Sequence, residues 1–141
     1  MDAAHQTRKK NEWLIYFVLF ICGPIILFLI SLIQRVPSPE TGEYNISLFL
    51  RNNYTFLAAT LFFITGFSAG YFFKANPWLI GLCLIMAFPL TSILEAIIYK
   101  GSHNLIPFEF LVFIVFALPS VAAAYIGLYL NKQLSKKETS E

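Results

Sequence analysis

Four long stretches without a charged residue dominate the hydrophobic pattern of this chain, at residues 13–34, 52–73, 75–94 and 110–131. Each stretch is 20 to 22 residues long, and about 20 apolar residues in a helix are enough to cross a hydrocarbon core roughly 30 Å thick. The apolar positions are contiguous and do not alternate with polar ones, which excludes the strands of a membrane barrel. The pattern predicts an all-α, polytopic membrane bundle of four transmembrane helices.

The predicted spans leave only a tail at each end of the chain. We place them at about residues 13–34, 53–73, 77–99 and 107–131, with tails at residues 1–12 and 132–141. Charged residues make up 13% of the chain and hydrophobic residues 57%, whereas a soluble domain carries about 25% charged residues. The net charge of +2 is too small to indicate a nucleic-acid partner. Composition therefore predicts a chain surrounded by the lipid bilayer.

Lysine and arginine are distributed unevenly between the two predicted sides of the membrane. Because short loops rich in these residues stay in the cytoplasm, the distribution predicts that both termini are cytoplasmic. The side with more of them holds Arg8, Lys9, Lys10, Lys74, Lys132, Lys136 and Lys137, and the other side holds Arg35, Arg51 and Lys100.

Two connections have a predictable local structure. The link at residues 74–76 is short, so helices two and three are expected to form a tight antiparallel hairpin. Asn76 is expected to cap the third helix and Pro77 to occupy its first turn. The longest connection covers about residues 35–53, and the apolar positions within residues 46–50 predict a short amphipathic segment along the outer interface.

Small residues and prolines predict how the helices pack. Gly66 and Gly70 form a GxxxG motif, and Ala123 and Gly127 form a small-xxx-small motif. These faces serve either a homo-oligomer or, as we favour, packing within one bundle. Prolines inside the spans predict bends that widen the bundle; they are Pro24, Pro89 and Pro119.

A polar cluster from Ser92 to Glu109 marks the outer ends of helices three and four. Ser92, Glu95 and Tyr99 are spaced three and four apart, which places them on one helix face. An ionisable residue such as Glu95 within a membrane is costly, so it is a candidate functional residue by default. The candidate ligand or ion site consists of Glu95, Tyr99, His103, Asn104 and Glu109.

Three kinds of chemistry fit this cluster, and none has a diagnostic spacing. Carboxylate and imidazole groups bind divalent metals, act as acid and base on a substrate at the outer leaflet, or carry protons or a cation across the membrane. The spacing specifies neither a metal nor a cofactor, and it assigns no catalytic residue.

Each candidate also has a structural explanation. Glu109 is placed to complement the positive end of the fourth helix, and His103 and Asn104 suit a turn. Glu95 is expected, on this explanation, to pair with a neighbouring cation, namely Arg35, Arg51 or Lys100. We favour a functional role for Glu95 and a structural one for Glu109.

Residues 102–110, with the sequence SHNLIPFEF, resemble a segment of uncharacterised small bacterial four-helix integral membrane proteins. The resemblance implies a bacterial cytoplasmic (inner) membrane and no particular activity. Small multidrug exporters carry a glutamate in helix one, and lipoprotein signal peptidases need two aspartates; this chain has neither. Thiol-redox membrane enzymes need a CxxC motif, which is also missing.

We therefore expect a non-enzymatic subunit or accessory protein. Its polar site would bind a lipid, an ion or a partner, and the partner would be a second copy or another membrane protein. The alternative is a small transporter or channel with Glu95 on a proton or cation path, and a membrane enzyme acting on lipid ranks third.

Overall fold

The computed structural model describes the backbone of residues 2–35, 45–99 and 106–138, and the side chains of residues 13–35, 45–99 and 108–137. Regular structure within these ranges is entirely helical, as the continuous apolar runs predict. The helices are α1 (Asp2–Gln34), α2 (Asn45–Asn53), α3 (Phe56–Phe73), α4 (Pro77–Ile85), α5 (Ala87–Ile98) and α6 (Ile106–Glu138).

Three helical segments are long and apolar enough to cross a membrane: Trp13–Gln34, Phe56–Phe73 and Phe108–Lys137. The pair α4 and α5 meets the same criteria when taken together, although it bends by 45°. Large apolar side chains cover the outer surface, as in Trp13, which is 78% exposed, while Phe62 and Phe88 are completely buried. An apolar surface of this extent fits lipid rather than water, so the chain is a helical bundle of the membrane-protein type.

Pro89 explains why the predicted third helix is broken. Proline has no N–H to donate to the carbonyl of Ile85, and its ring clashes with that carbonyl. The helix ends there, and the Met86 amide instead donates to the Cys83 carbonyl at 3.3 Å. Around Pro24 and Pro119 the helices remain continuous, so of these three prolines only Pro89 accompanies a break in its helix.

The most extensive helix contact among the described helices joins α3 to α6. Gly66 lies against the backbone of Ser120, and Gly70 lies against the backbone of Ala124. A side chain at either glycine would overlap a backbone carbonyl of α6. On the facing helix, Gly127 meets the backbone of α3, and Ala123 is completely buried. The GxxxG face of α3 and the small residues of α6 thus pack together within one bundle.

The short turn between α3 and α4 has the predicted cap. Lys74 adopts a left-handed conformation with φ of 53°, and the Asn76 side chain accepts a hydrogen bond from the Trp78 amide at 3.0 Å. Pro77 occupies the first turn of α4, as predicted. The Asn76 amide also donates to the hydroxyl of Tyr16 at 3.2 Å, which ties α1 to this end of the bundle.

The predicted amphipathic segment is the short helix α2. Ser47, Leu50 and Asn53 are buried on one face, while Ile46 and Leu48 are 57% and 44% exposed. α2 packs chiefly on α5, whereas α4 packs chiefly on α6. The bend at Met86 therefore directs the second half of the third predicted span away from α6 and towards α2.

Candidate functional site

Three of the five candidate site residues, Glu95, Tyr99 and Glu109, lie at the end of the bundle where α2, α5 and the start of α6 meet. Glu95 and Tyr99 lie at the end of α5, and Glu109 lies in the first turn of α6. His103 and Asn104, the other two predicted members, lie outside the described residues. The structure therefore describes the two carboxylates, Tyr99 and their neighbours.

The Glu95 carboxylate accepts hydrogen bonds from the first turn of α2. Its Oε1 atom lies 2.7 Å from the Ile46 amide nitrogen, and the Ser47 amide nitrogen lies 3.3 Å from Oε2. The first amides of a helix have no partner within the helix, and their partial positive charge favours an anion. Glu95 is only 4% exposed, so its carboxylate accepts these hydrogen bonds away from solvent.

The structural explanation expects Glu95 to pair with Arg35, Arg51 or Lys100. Arg51 pairs with Glu109, and Lys100 lies outside the described residues. The described hydrogen bonds of Glu95 go to backbone N–H groups, which a pattern of charged side chains does not reveal.

Glu109 forms an ion pair at the other end of α2. Its Oε1 atom lies 3.4 Å from a guanidinium nitrogen of Arg51, in the last turn of α2. The Glu109 side chain is 21% exposed and that of Arg51 34% exposed. Arg51 also complements the negative end of the α2 dipole. The two carboxylates thus contact opposite ends of α2.

Replacing Glu109 with glutamine is expected to have a small effect on stability. A partly exposed ion pair contributes about 0.2–1 kcal/mol, so the free energy of unfolding should fall by less than about 1 kcal/mol. A double-mutant cycle with Arg51→Gln, measured by denaturant unfolding in detergent at low and high salt, checks this. A loss above 2 kcal/mol, or one that salt leaves unchanged, contradicts the prediction.

Tyr99 ends α5 and takes a limited part in this arrangement. Its amide donates to the Glu95 carbonyl at 2.8 Å, and its side chain is 39% exposed. The backbone bond closes the last turn of α5 and helps to position the residue that carries the buried carboxylate. Tyr99 therefore contributes through its backbone to the placement of Glu95.

Sequence reasoning missed a set of buried polar oxygens near the break between α2 and α3. Asn53 Oδ1, Thr55 Oγ1 and Ser92 Oγ are buried and have no hydrogen-bond partner among the described residues. Buried polar atoms without a partner are rare and call for an explanation such as bound water or an ion. In the sequence, the feature that could have indicated these buried oxygens is the pair of polar residues at 52–53, at the start of an apolar run.

An aromatic cluster surrounds Tyr54, which follows Asn53 in the chain. The Tyr54 ring stacks on Phe116 with centroids 4.1 Å apart, and it also contacts Phe62 and Phe88. Its hydroxyl donates to the Phe116 carbonyl at 2.6 Å. The segment between α2 and α3 is therefore fixed to both α5 and α6.

Within the described residues, no group of three or more His, Cys, Asp or Glu side chains is arranged to hold a metal ion. The two carboxylates instead have separate partners on α2. No protein family, curated protein or solved structure matches this chain. The resemblance of residues 102–110 to bacterial four-helix membrane proteins stays a prediction.

Proposed function

We propose that this chain is a non-enzymatic subunit or accessory protein of a bacterial cytoplasmic membrane. It would cross the membrane four times, with the bent pair α4–α5 as the third span and both termini in the cytoplasm. The single observation that carries this proposal is the attachment of α2 by two carboxylates from different helices, Glu95 from α5 and Glu109 from α6.

The same contacts favour a protein partner over an ion or a lipid headgroup. A cation at Glu95 would have to displace two amide donors, and one at Glu109 would compete with Arg51. With both ends attached, α2 presents the exposed side chains of Ile46 and Leu48 at a defined position. A fixed apolar surface beside a polar rim suits contact with another membrane protein.

Native mass spectrometry of the protein released gently from its own membranes tests the proposal. Wild type should retain a partner, either a second copy or a different protein, and Leu48→Gln should lose it. Leu90→Gln is the matched control, because Leu90 is also a partly exposed leucine but lies on α5. Glu95→Gln, which weakens the attachment of α2, should also reduce retention. The proposal is overturned if all four proteins have the same mass and retain the same partners.

A transporter or channel is the second candidate, and a specific group of features favours it. The third predicted span is broken at Met86, and its second half, α5, carries the buried Glu95. Buried oxygens of Asn53 and Ser92 have no hydrogen-bond partner among the described residues. Transporters commonly build their sites from broken helices with a half-helix N-terminus at an anion. Glu95 would then exchange a proton or cation at the N-terminus of α2.

Proton flux into liposomes distinguishes the two candidates. A transporter should acidify vesicles loaded with a pH-sensitive dye, and Glu95→Gln should reduce the rate to that of empty vesicles. Glu109→Gln serves as the control because it removes a carboxylate that already has a side-chain partner. This candidate is excluded if vesicles with the wild-type protein take up protons, Na⁺ and K⁺ no faster than empty vesicles.

A further inference from the structure

A groove lined by lysines lies at the opposite end of the bundle from α2. It has a volume of about 360 Å³ and lies between the α3–α4 turn and the end of α6. Lys74 comes from the turn, and Lys132 and Lys136 come from α6. The two elements meet because α3 and α6 are parallel, so that their C-terminal ends lie side by side, and pack closely through their small residues. We call this feature the lysine groove.

The charge of the lysine groove has one sign. Among the described side chains, the only carboxylates are those of Glu95 and Glu109, which lie at the α2 end. Lys74 and Lys132 are exposed, so their ammonium groups can reach an anion in the groove. Basic pockets between membrane helices bind the phosphate of lipid headgroups, at about 1 kcal/mol per lysine.

Two further residues line the groove. Asn131 is one of them, but its Oδ1 atom is buried and therefore out of reach of a ligand in the groove. Tyr129 is 61% exposed beside it, as is usual for aromatic residues at the level of lipid headgroups. One water occupies about 30 Å³ of liquid, so the groove has room for a group of several heavy atoms.

We propose that the lysine groove binds a phosphate group, presented by an anionic phospholipid. Lys74 and Lys132 contact the phosphate. This site is independent of the proposed role of α2, because it lies at the other end of the bundle and shares none of its residues.

Lipid titration of the purified full-length chain, followed by native mass spectrometry, tests the proposal. Dioleoyl-phosphatidylglycerol should bind more tightly than dioleoyl-phosphatidylcholine. Lys132→Gln should weaken it about fivefold and Lys74→Gln/Lys132→Gln about thirtyfold, at about 1 kcal/mol per lysine. Lys137→Gln removes the same charge from the same helix, but Lys137 does not line the groove. The affinity of this variant for phosphatidylglycerol should therefore stay within about twofold of wild type.

A separate arm uses inorganic phosphate to distinguish a lipid from a soluble ligand. Phosphate should compete only weakly with phosphatidylglycerol. The proposed site is overturned if the two phospholipids bind equally well. It is also overturned if Lys132→Gln and Lys137→Gln have the same affinity for phosphatidylglycerol. Inorganic phosphate that binds the protein as tightly as the lipid overturns the lipid assignment.

Discussion

Replacing Glu95 with leucine is expected to lower the free energy of unfolding by about 3 kcal/mol and to release α2 from α5. Leucine fills a similar volume but offers no acceptor to the amides of Ile46 and Ser47. A hydrogen bond to a charged group contributes about 1.5–3 kcal/mol, and a buried donor without a partner costs about 1–3 kcal/mol. The loss should therefore exceed that of any other single change at this end of the bundle.

Glu95→Gln is the matched variant, because it keeps one oxygen acceptor while removing the charge. Its loss should be about 1 kcal/mol. Denaturant unfolding in detergent measures both variants, and hydrogen exchange at the two amides of α2 reports local release. In the leucine variant these amides should exchange faster, while amides in the middle of α3 should not. Unchanged exchange in Glu95→Leu would falsify the assigned role of the carboxylate.

The second large effect is expected at Gly70. Gly70→Val places a Cβ atom where the backbone of Ala124 lies, and backbone atoms in a packed helix cannot move aside locally. Overpacking of this kind typically costs 1–3 kcal/mol, and the β-branched side chain adds bulk at the same point. We expect a loss of about 3 kcal/mol in the free energy of unfolding and a wider separation of α3 and α6.

Ala122→Val provides the control for this change, because Ala122 is exposed on α6 only two residues from the contact. Its unfolding free energy should match that of wild type within about 0.5 kcal/mol. The experiment also separates the two uses of a GxxxG motif. If Gly70 served a homo-oligomer instead, Gly70→Val would change the assembly mass measured in native mass spectrometry and leave monomer unfolding unchanged.

Much of the local structure was predictable from the sequence. Long apolar runs predict helices because lipid leaves no other way to satisfy backbone groups without a closed sheet. Asn76 and Pro77 predict the start of α4 because capping depends on neighbours one or two residues away. The apolar positions after residue 45 predict α2 for the same local reason. The break at Met86 follows from Pro89, although the continuity of α1 and α6 through their prolines does not.

The candidate site was only partly predictable. The cost of an ionisable group within the membrane singled out Glu95, which is almost completely buried. The backbone amides that donate to Glu95 could not be read from the sequence, because every residue except proline carries an N–H group. Glu109 was assigned to the dipole of its own helix, whereas its carboxylate also pairs with Arg51.

Residue order alone predicts the helical, membrane-type architecture, the capped turn before α4 and the position of the polar cluster. These features depend on residues close together in the chain, where spacing and chemistry are visible directly. The contact between Glu95 and the start of α2, 49 residues away, depends on the tertiary structure, as does the contact of the GxxxG face with α6. The first contact is made by the part of the third span beyond the bend at Met86, and the second forms because α3 and α6 pack side by side in parallel. No local pattern relates the groups that these contacts bring together.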